Sequence, residues 1–385
     1  MMRDVTHFTG AAIFDGTVMH HGAALAVARG RVSGIAPEDA ATGRVVHLAG
    51  GVLAPGLIDL QVNGGGGLML GGADVAGLAR IAATHARLGA TAILPTLITD
   101  TPEATQHAIA AAIAAVVAGV PGVLGLHLEG PHLGPRRKGA HDAHLIRPMT
   151  DADLALYLDA ARALPRLMIT LAPEAASLDQ IAALAGAGVI VSLGHSDTGM
   201  EGALAAIGAG ASAVTHLFNA MSPLGHREPG LVGAALDTDV FAGLIGDGVH
   251  VGATALRVAL VAKRGAGRLF LVSDAMAVAG TDASEFTLGA RQILRRDGRL
   301  TLGDGTLAGA DYDLAAGLRH LVDAMHMPLD RALSMVTTVP ANVIGRDDIG
   351  HLRPGARADM VHLDADLVLR QVWQAGAALR PAHPS

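Results

Sequence analysis

The stretch that decides the fold is GVPGVLGLHLEGPHLGPRRKGAH, residues 119–141. Its first half is continuously apolar and reads as a buried strand. Its second half places Glu129, His127, His132 and His141 beside Arg136, Arg137 and Lys138. A polar loop capping a core strand is one explanation. A metal site at the end of a parallel strand is the other, because chemistry collects at the C-terminal ends of strands in α/β proteins.

Working outward, short aliphatic runs of the same kind recur. They are GLIDLQV from Gly56, TAILPTLI from Thr91, VLGLHL from Val123 and RLMITLA from Arg166. VIVSLG from Val189, AVTHLF from Ala213, FAGLIG from Phe241 and RLFLVS from Arg268 complete a set of eight. Ala-rich helical stretches separate them, such as DVAGLARIAATHARLG from Asp74 and MEGALAAIGAG from Met200. Strands apolar throughout and alternating with helices imply a parallel sheet covered on both faces. Eight such units predict a (β/α)8 TIM-like barrel. A doubly wound open sheet is the competing arrangement, but no Gly-rich phosphate fingerprint follows the first strand.

The ends read differently. AAIFDGTVMHHG, ALAVARGRVSGI and GRVVHLAGGVLAPG near the start, and ADMVHLDADLVLRQVWQAG near the end, alternate as half-buried strands do. The expected organisation is a barrel over residues 55–348 and a small β-sandwich assembled from residues 1–54 and 349–385.

Composition narrows the chemistry. Of the 385 residues, 51% are hydrophobic, 16% charged and only 2% aromatic, so a large core must pack through small side chains. The formal charge of −7 gives no basis for a nucleic-acid surface, and an anionic substrate would need a local cationic pocket. With no cysteine, disulfides and thiolate metal sites are excluded, and any metal must sit on His, Asp or Glu. The start MMRDVTHFTGAAIFDG lacks the apolar run of a signal peptide. AIAAAIAAVVAGVPGVLGL, from Ala108, is long enough for a membrane span but is cut by Gly119, Pro121 and Gly122. A cytoplasmic protein without membrane or nucleic-acid partners is expected.

At the strand ends stand Asp59, Gln61 and Asn63, then His127 and Glu129, His195, His216 and Asp274. Singly, each is ordinary: strand-end histidines are mostly satisfied polar residues, and Glu129 could accept backbone hydrogen bonds. Together they suit a catalytic metal, since a His2Glu set leaves zinc an open coordination position.

The motifs PGLIDLQVNG, HLEGP, KGAH, LGHSD, THLFNAM, REPG, GDGVH and LVSDAM occur in that order, followed by GHLRPGARADMV from Gly350. The chain thereby resembles the N-acetylglucosamine-6-phosphate deacetylases of the amidohydrolase superfamily over its whole length. The resemblance implies that Glu129, His195 and His216 hold one divalent metal per subunit, zinc first, with iron, cobalt or manganese as alternatives. Asp274 is then the general base, taking a proton from the metal-activated water and handing it to the departing amine. His141 polarises the acetyl carbonyl. Binuclear amidohydrolases carry His-x-His at the end of the first strand, where this chain has Gln61 and Asn63, which implies a single metal. Asp59 then becomes a structural acid, and His127 either supports Glu129 or packs the core.

The resemblance further implies that Ala140, Asn219, Ala220, Leu307, Ala308 and Gly309 contact the sugar, the last three as a loop after the eighth strand. Arg227 and His250 are the implied phosphate ligands, with Arg227 acting across a homodimer interface. Arg136, Arg137 and Lys138 read as a solvated basic face. His85 and His107 read as surface residues, and Met276 as core filler. The implied reaction is hydrolysis of N-acetylglucosamine 6-phosphate to glucosamine 6-phosphate and acetate. The alternatives are another N-acyl substrate, such as N-acetylgalactosamine 6-phosphate, and a non-catalytic scaffold.

Overall fold

A computed structural model describes residues 5–381. The eight aliphatic runs each contain a strand. They are β1 (Leu57–Val62), β2 (Ala90–Ile98), β3 (Leu126–Glu129) and β4 (Leu167–Leu171). β5 (Ile190–Leu193), β6 (Ala213–Val214), β7 (Phe241–Leu244) and β8 (Leu269–Leu271) follow. They form one eight-stranded sheet in sequential order, parallel from β2 to β8. A parallel bridge between Val62 and Ala275, with the Asn63 N–H donating to the Ala275 carbonyl at 2.9 Å, ties its two edges. That closure makes the sheet a TIM-like barrel and disposes of the open-sheet alternative.

The barrel interior carries an unusual polar layer. Fully buried His127 has Nδ1 2.9 Å from the Leu60 carbonyl and Nε2 2.7 Å from Thr170 Oγ1. The hydroxyl chain continues from Thr170 to Thr215 and on to Ser192, each contact 2.6 Å. Burial pushes the His127 imidazole down to about 4, so it stays neutral, and it cross-links β1, β3 and β4.

Among the described residues the chain parts into two compact units, residues 60–82 with 93–312, and residues 5–59 with 83–92 and 313–381. The latter takes residues 313–348, which the sequence pattern had grouped with the barrel. Within it the Ile58 N–H donates to the Val336 carbonyl at 2.9 Å, and the Thr338 hydroxyl reaches the Gly16 carbonyl at 2.6 Å. The same unit holds a four-stranded and a six-stranded sheet. In the larger, Met360–Leu363 from the end of the chain runs antiparallel to Val52–Pro55 from its start. Phe8, Leu25, Leu53, Met360 and Trp373, from both sheets, share one core, and the Phe8 and Trp373 rings meet edge-to-face at 5.1 Å.

Two features depart from the sequence reading. After β8 a four-stranded antiparallel sheet intervenes (Glu285–Leu288, Arg291–Arg296, Arg299–Thr301, Leu307–Ala310), with Leu288, Ile293, Leu300 and Met276 in its core. His85 is buried rather than on the surface. On α1 (Val75–Arg87) it lies one helical period beyond Leu78, Ile81 and Ala82, on the same inward face. His107, on Pro102–Val117, is exposed as expected.

Truncating Trp373 to Ala removes the ring that both terminal sheets share and should cost about 3–5 kcal/mol. Thermal or urea unfolding measures it, and a change below about 1 kcal/mol would mean that the two sheets do not depend on this core.

Candidate active site

Each strand-end residue leaves its strand in a way that aims it at one point. Glu129 is the last residue of β3, while His195, His216 and Asp274 lie just past β5, β6 and β8. The latter three adopt left-handed backbone, φ 48°, 31° and 49°. Such values are costly for non-glycine residues and persist only where the surroundings enforce them. The turn swings each side chain inward over the barrel end.

Glu129 Oε1 lies 3.2 Å from His195 Nε2 and 3.0 Å from His216 Nε2, and the two Nε2 atoms are 3.0 Å apart. His195 Nδ1 donates to the Arg137 carbonyl at 2.8 Å, which leaves its Nε2 with a bare lone pair facing this triangle. His141 also falls within ligand reach, since single donor atoms of Glu129, His141 and His195 lie within 4.8 Å of one another. The backbone N–H of Thr99 donates to His141 Nδ1 at 3.3 Å, however, and the Thr99 hydroxyl lies 2.7 Å from the same atom. That pattern leaves the His141 proton on Nε2, which stands 3.9 Å from Glu129 Oε2. His141 therefore faces the cavity as a donor, and Glu129, His195 and His216 are the acceptor set. One carboxylate oxygen and two imidazole nitrogens converging this closely fit a divalent transition metal.

The two carboxylates are driven apart electrostatically. Burial would raise the Glu129 carboxyl, but hydrogen bonds to His195 and His216 and the His216 charge hold it well below the usual range. For Asp274, burial and the Glu129 charge push the carboxyl up to about 6, against the pull of His216 and Asn63. Burial and the neighbouring His195 push His141 down to about 3, so its ring stays neutral. Gln61 Nε2 donates to both Glu129 Oε1 and Asp274 Oδ1, each at 3.1 Å, and Asn63 Nδ2 donates to Asp274 Oδ1 at 2.7 Å. These amides orient the two carboxylates. The sequence pattern had marked them only as poor ligands. Asp59 is fully buried and does not line the site.

The cavity over the site holds about 370 Å³. Ala140, Asn219, Ala220 and His250 line it, as do Leu307, Ala308 and Gly309. The last three form part of a strand, Leu307–Ala310, rather than the expected loop. The pairing of that strand presents them to the cavity. A Cβ on Gly309, whose φ is +73°, would lie 2.8 Å from the Asp274 carbonyl, so no larger residue fits there. Met276 is buried in the core of the same sheet and also touches the cavity. His250 Nδ1 lies 2.6 Å from Asp247 Oδ2, which turns its Nε2 away from that carboxylate.

The cations near the site differ in position. Arg227 is exposed and lies outside the cavity lining of its own chain. Arg136 and Lys138 are exposed, in keeping with a solvated basic face, while Arg137 is half-buried; Arg136 and Arg137 border the cavity at the 3-10 turn Pro135–Arg137. Lys138 lines an adjoining cavity of about 520 Å³. His132 is structural, with Nε2 2.9 Å from the Tyr157 hydroxyl.

This architecture agrees with what comparison finds. The chain belongs to the amidohydrolase family, whose model matches residues 52–379. It is therefore a hydrolase. It is 41% identical over 339 residues to an N-acetylgalactosamine-6-phosphate deacetylase of Shewanella sp. (strain ANA-3), covering 88% of this chain and 85% of that one. An N-acetylglucosamine-6-phosphate deacetylase of Homo sapiens is 39% identical over 362 residues, covering 86% and 85%. The crystal structure of N-acetylglucosamine-6-phosphate deacetylase from Pasteurella multocida superposes with a TM-score of 0.93 at 33% identity, over 97% of this chain and 99% of that one. Among the described residues no helix is long and apolar enough to cross a membrane.

The donor set predicts that the purified chain binds about one divalent transition-metal ion, and that Glu129→Gln or His195→Ala abolishes this uptake. Elemental analysis after dialysis measures it, and full metal content in either variant would show that the ion sits elsewhere.

Proposed function

We propose that the protein hydrolyses N-acetyl-D-glucosamine 6-phosphate to D-glucosamine 6-phosphate and acetate. The observation that carries this reading is the triangle of Glu129, His195 and His216, faced by Asp274 and by the donating edge of His141. One divalent cation per subunit is held by that triangle, with zinc the best match to imidazole and carboxylate and iron, cobalt or manganese the substitutes. Bound there, the cation supplies Lewis-acid activation of the acetyl carbonyl and of the attacking water.

The chain's own groups complete the reaction. Asp274 accepts a proton as water adds to the acetyl carbon and returns it to the nitrogen as the C–N bond breaks, so the amine leaves neutral. Asn63 and Gln61 hold the carboxylate in line. His141 donates its Nε2–H to the carbonyl oxygen as negative charge develops there, and a neutral ring can do this without a protonation step. Ala140, Asn219, Ala220, Leu307, Ala308 and Gly309 hold the sugar ring. His250, oriented by Asp247, receives the phosphate. Arg227 reaches the same phosphate from a second copy of the chain, which makes the working unit a homodimer. Its exposed position outside the cavity of its own chain supports that assignment. We keep residues 55–348 as the catalytic region and residues 1–54 and 349–385 as the accessory one, with residues 313–348 clustering with the terminal sheets. The cysteine-free composition suits a reducing cytoplasm.

A second reading has specific support: the Shewanella relative, at 41% identity, is named for the galactosamine epimer. Acetate release from N-acetylglucosamine 6-phosphate, N-acetylgalactosamine 6-phosphate and unphosphorylated N-acetylglucosamine, on protein of known metal content, separates the possibilities. Preference for the first substrate supports the proposal, and preference for the second transfers it to the epimer. Equal rates on both glucosamine forms would remove Arg227 and His250 from their roles. Absence of turnover with metal bound would favour a scaffold.

Asp274→Asn should lose at least about a thousandfold in kcat while retaining the cation. Asn63→Ala removes a hydrogen bond that favours ionised Asp274. Because the ionised form is the base, the acid limb of kcat/KM should move to higher pH. An unmoved limb in a pH–rate profile would assign that limb to another group.

A further inference from the structure

The segment that delivers Glu129 also grips His195. Beyond β3 the Gly134 N–H donates to the His195 carbonyl at 2.7 Å, and the Arg137 carbonyl accepts from His195 Nδ1 at 2.8 Å. The loop is packed so closely that a Cβ on Gly139 would lie 3.3 Å from His195 Cε1, and one on Gly134 would lie 2.3 Å from Glu174 Oε1. Glu174 in turn receives the Ser196 hydroxyl at 2.6 Å and the Asp197 N–H at 2.8 Å. Asp197 joins the two loops through side-chain ion pairs, the closer with Arg137. Arg137 Nε and Nη2 each lie 2.7 Å from Asp197 Oδ1, and Arg136 Nη1 stands 3.6 Å from Oδ2.

We infer that the Arg137–Asp197 ion pair is a latch that positions His195 for the cation by holding the Arg137 carbonyl against its Nδ1. The inference rests on the metal site proposed above. Its physical basis is the tautomer. His195 presents a lone pair to the triangle only while its proton stays on Nδ1, and that proton stays there because a carbonyl is waiting for it. The carbonyl ends the short 3-10 turn Pro135–Arg137, outside any sheet ladder. The guanidinium of the same residue, fastened to the residue two positions beyond His195, makes loop and ligand move together. The side chains are 35% and 31% exposed, so such a pair adds little to global stability. Its effect belongs in the geometry of the ligand instead. Asp197 does not line the cavity, so it can be altered without removing a group that faces substrate.

The test is the zinc affinity of the full-length chain without substrate, by competition with a chromophoric chelator. Thermal melts of the zinc-free forms run alongside. Arg137→Ala keeps the carbonyl and removes its anchor; Asp197→Ala and the shape-preserving Asp197→Asn remove the other half. Each should bind zinc about tenfold more weakly, at the low end of what outer-sphere partners of a ligand contribute. The double variant Arg137→Ala/Asp197→Ala should lose no more than either single one, and Arg137→Lys should recover part of the affinity. Zinc-free melting temperatures should stay near that of the parent. Unchanged affinity in Arg137→Ala and Asp197→Asn overturns the latch, as does a rise in substrate KM confined to Arg137→Ala, which would make the arginine a substrate ligand. Lower melting temperatures with unchanged affinity reduce the pair to a structural contact. If the parent chain itself takes up no zinc, cobalt, iron or manganese, the metal site fails, which is distinct from a latch that fails on a working site.

Discussion

A carboxylate only 2% exposed at the end of a barrel strand governs this molecule. Burying Glu129 as an anion is unfavourable by several kcal/mol unless opposite charge or donors meet it. His195, His216 and Gln61 do so from three other strand ends, and a cation would do so better. His195 and His216 reach Glu129 from turns just past their strands, with left-handed backbone at φ 48° and 31°. Strain at the rim is sustained by the closed sheet beneath it, where His127 and a chain of hydroxyls bind four strands together.

A second consequence is the separation of roles between two acids sharing one cavity. Glu129 is stabilised as an anion by imidazoles, and its charge then makes Asp274 harder to ionise. Glu129 therefore stays ionised, while Asp274 is the acid of the two more ready to hold a proton. Gln61, donating to both at once, prevents them from drifting together.

The irregular segments divide the remaining work. The Leu307–Ala310 strand brings a wall to the cavity, and its glycine lets that wall approach the Asp274 backbone. The loop after β3 carries Arg136 and Arg137 to the rim of the cavity, where Arg137 is paired with Asp197. His250 approaches from the end of β7 with Asp247 as its partner.

The barrel was legible because strands buried on both faces are apolar at most positions and leave nearly continuous runs such as GLIDLQV and RLMITLA. The strand-end acids and histidines were legible for the complementary reason, as polar groups where such runs stop. The sheet at 285–310 was not, since its strands carry Arg291, Arg295, Arg296 and Arg299 among the apolar positions and alternate too weakly to stand out. Sequence alone therefore determined the barrel and which residues form its reactive end. It also excluded thiolate chemistry. Only the tertiary structure decided that Gln61 and Asn63 brace two carboxylates, that Arg137 pairs with Asp197 beside the site, and that His195 presents Nε2. Those outcomes depend on which atoms face one another across strands far apart in the chain, and no local pattern encodes that.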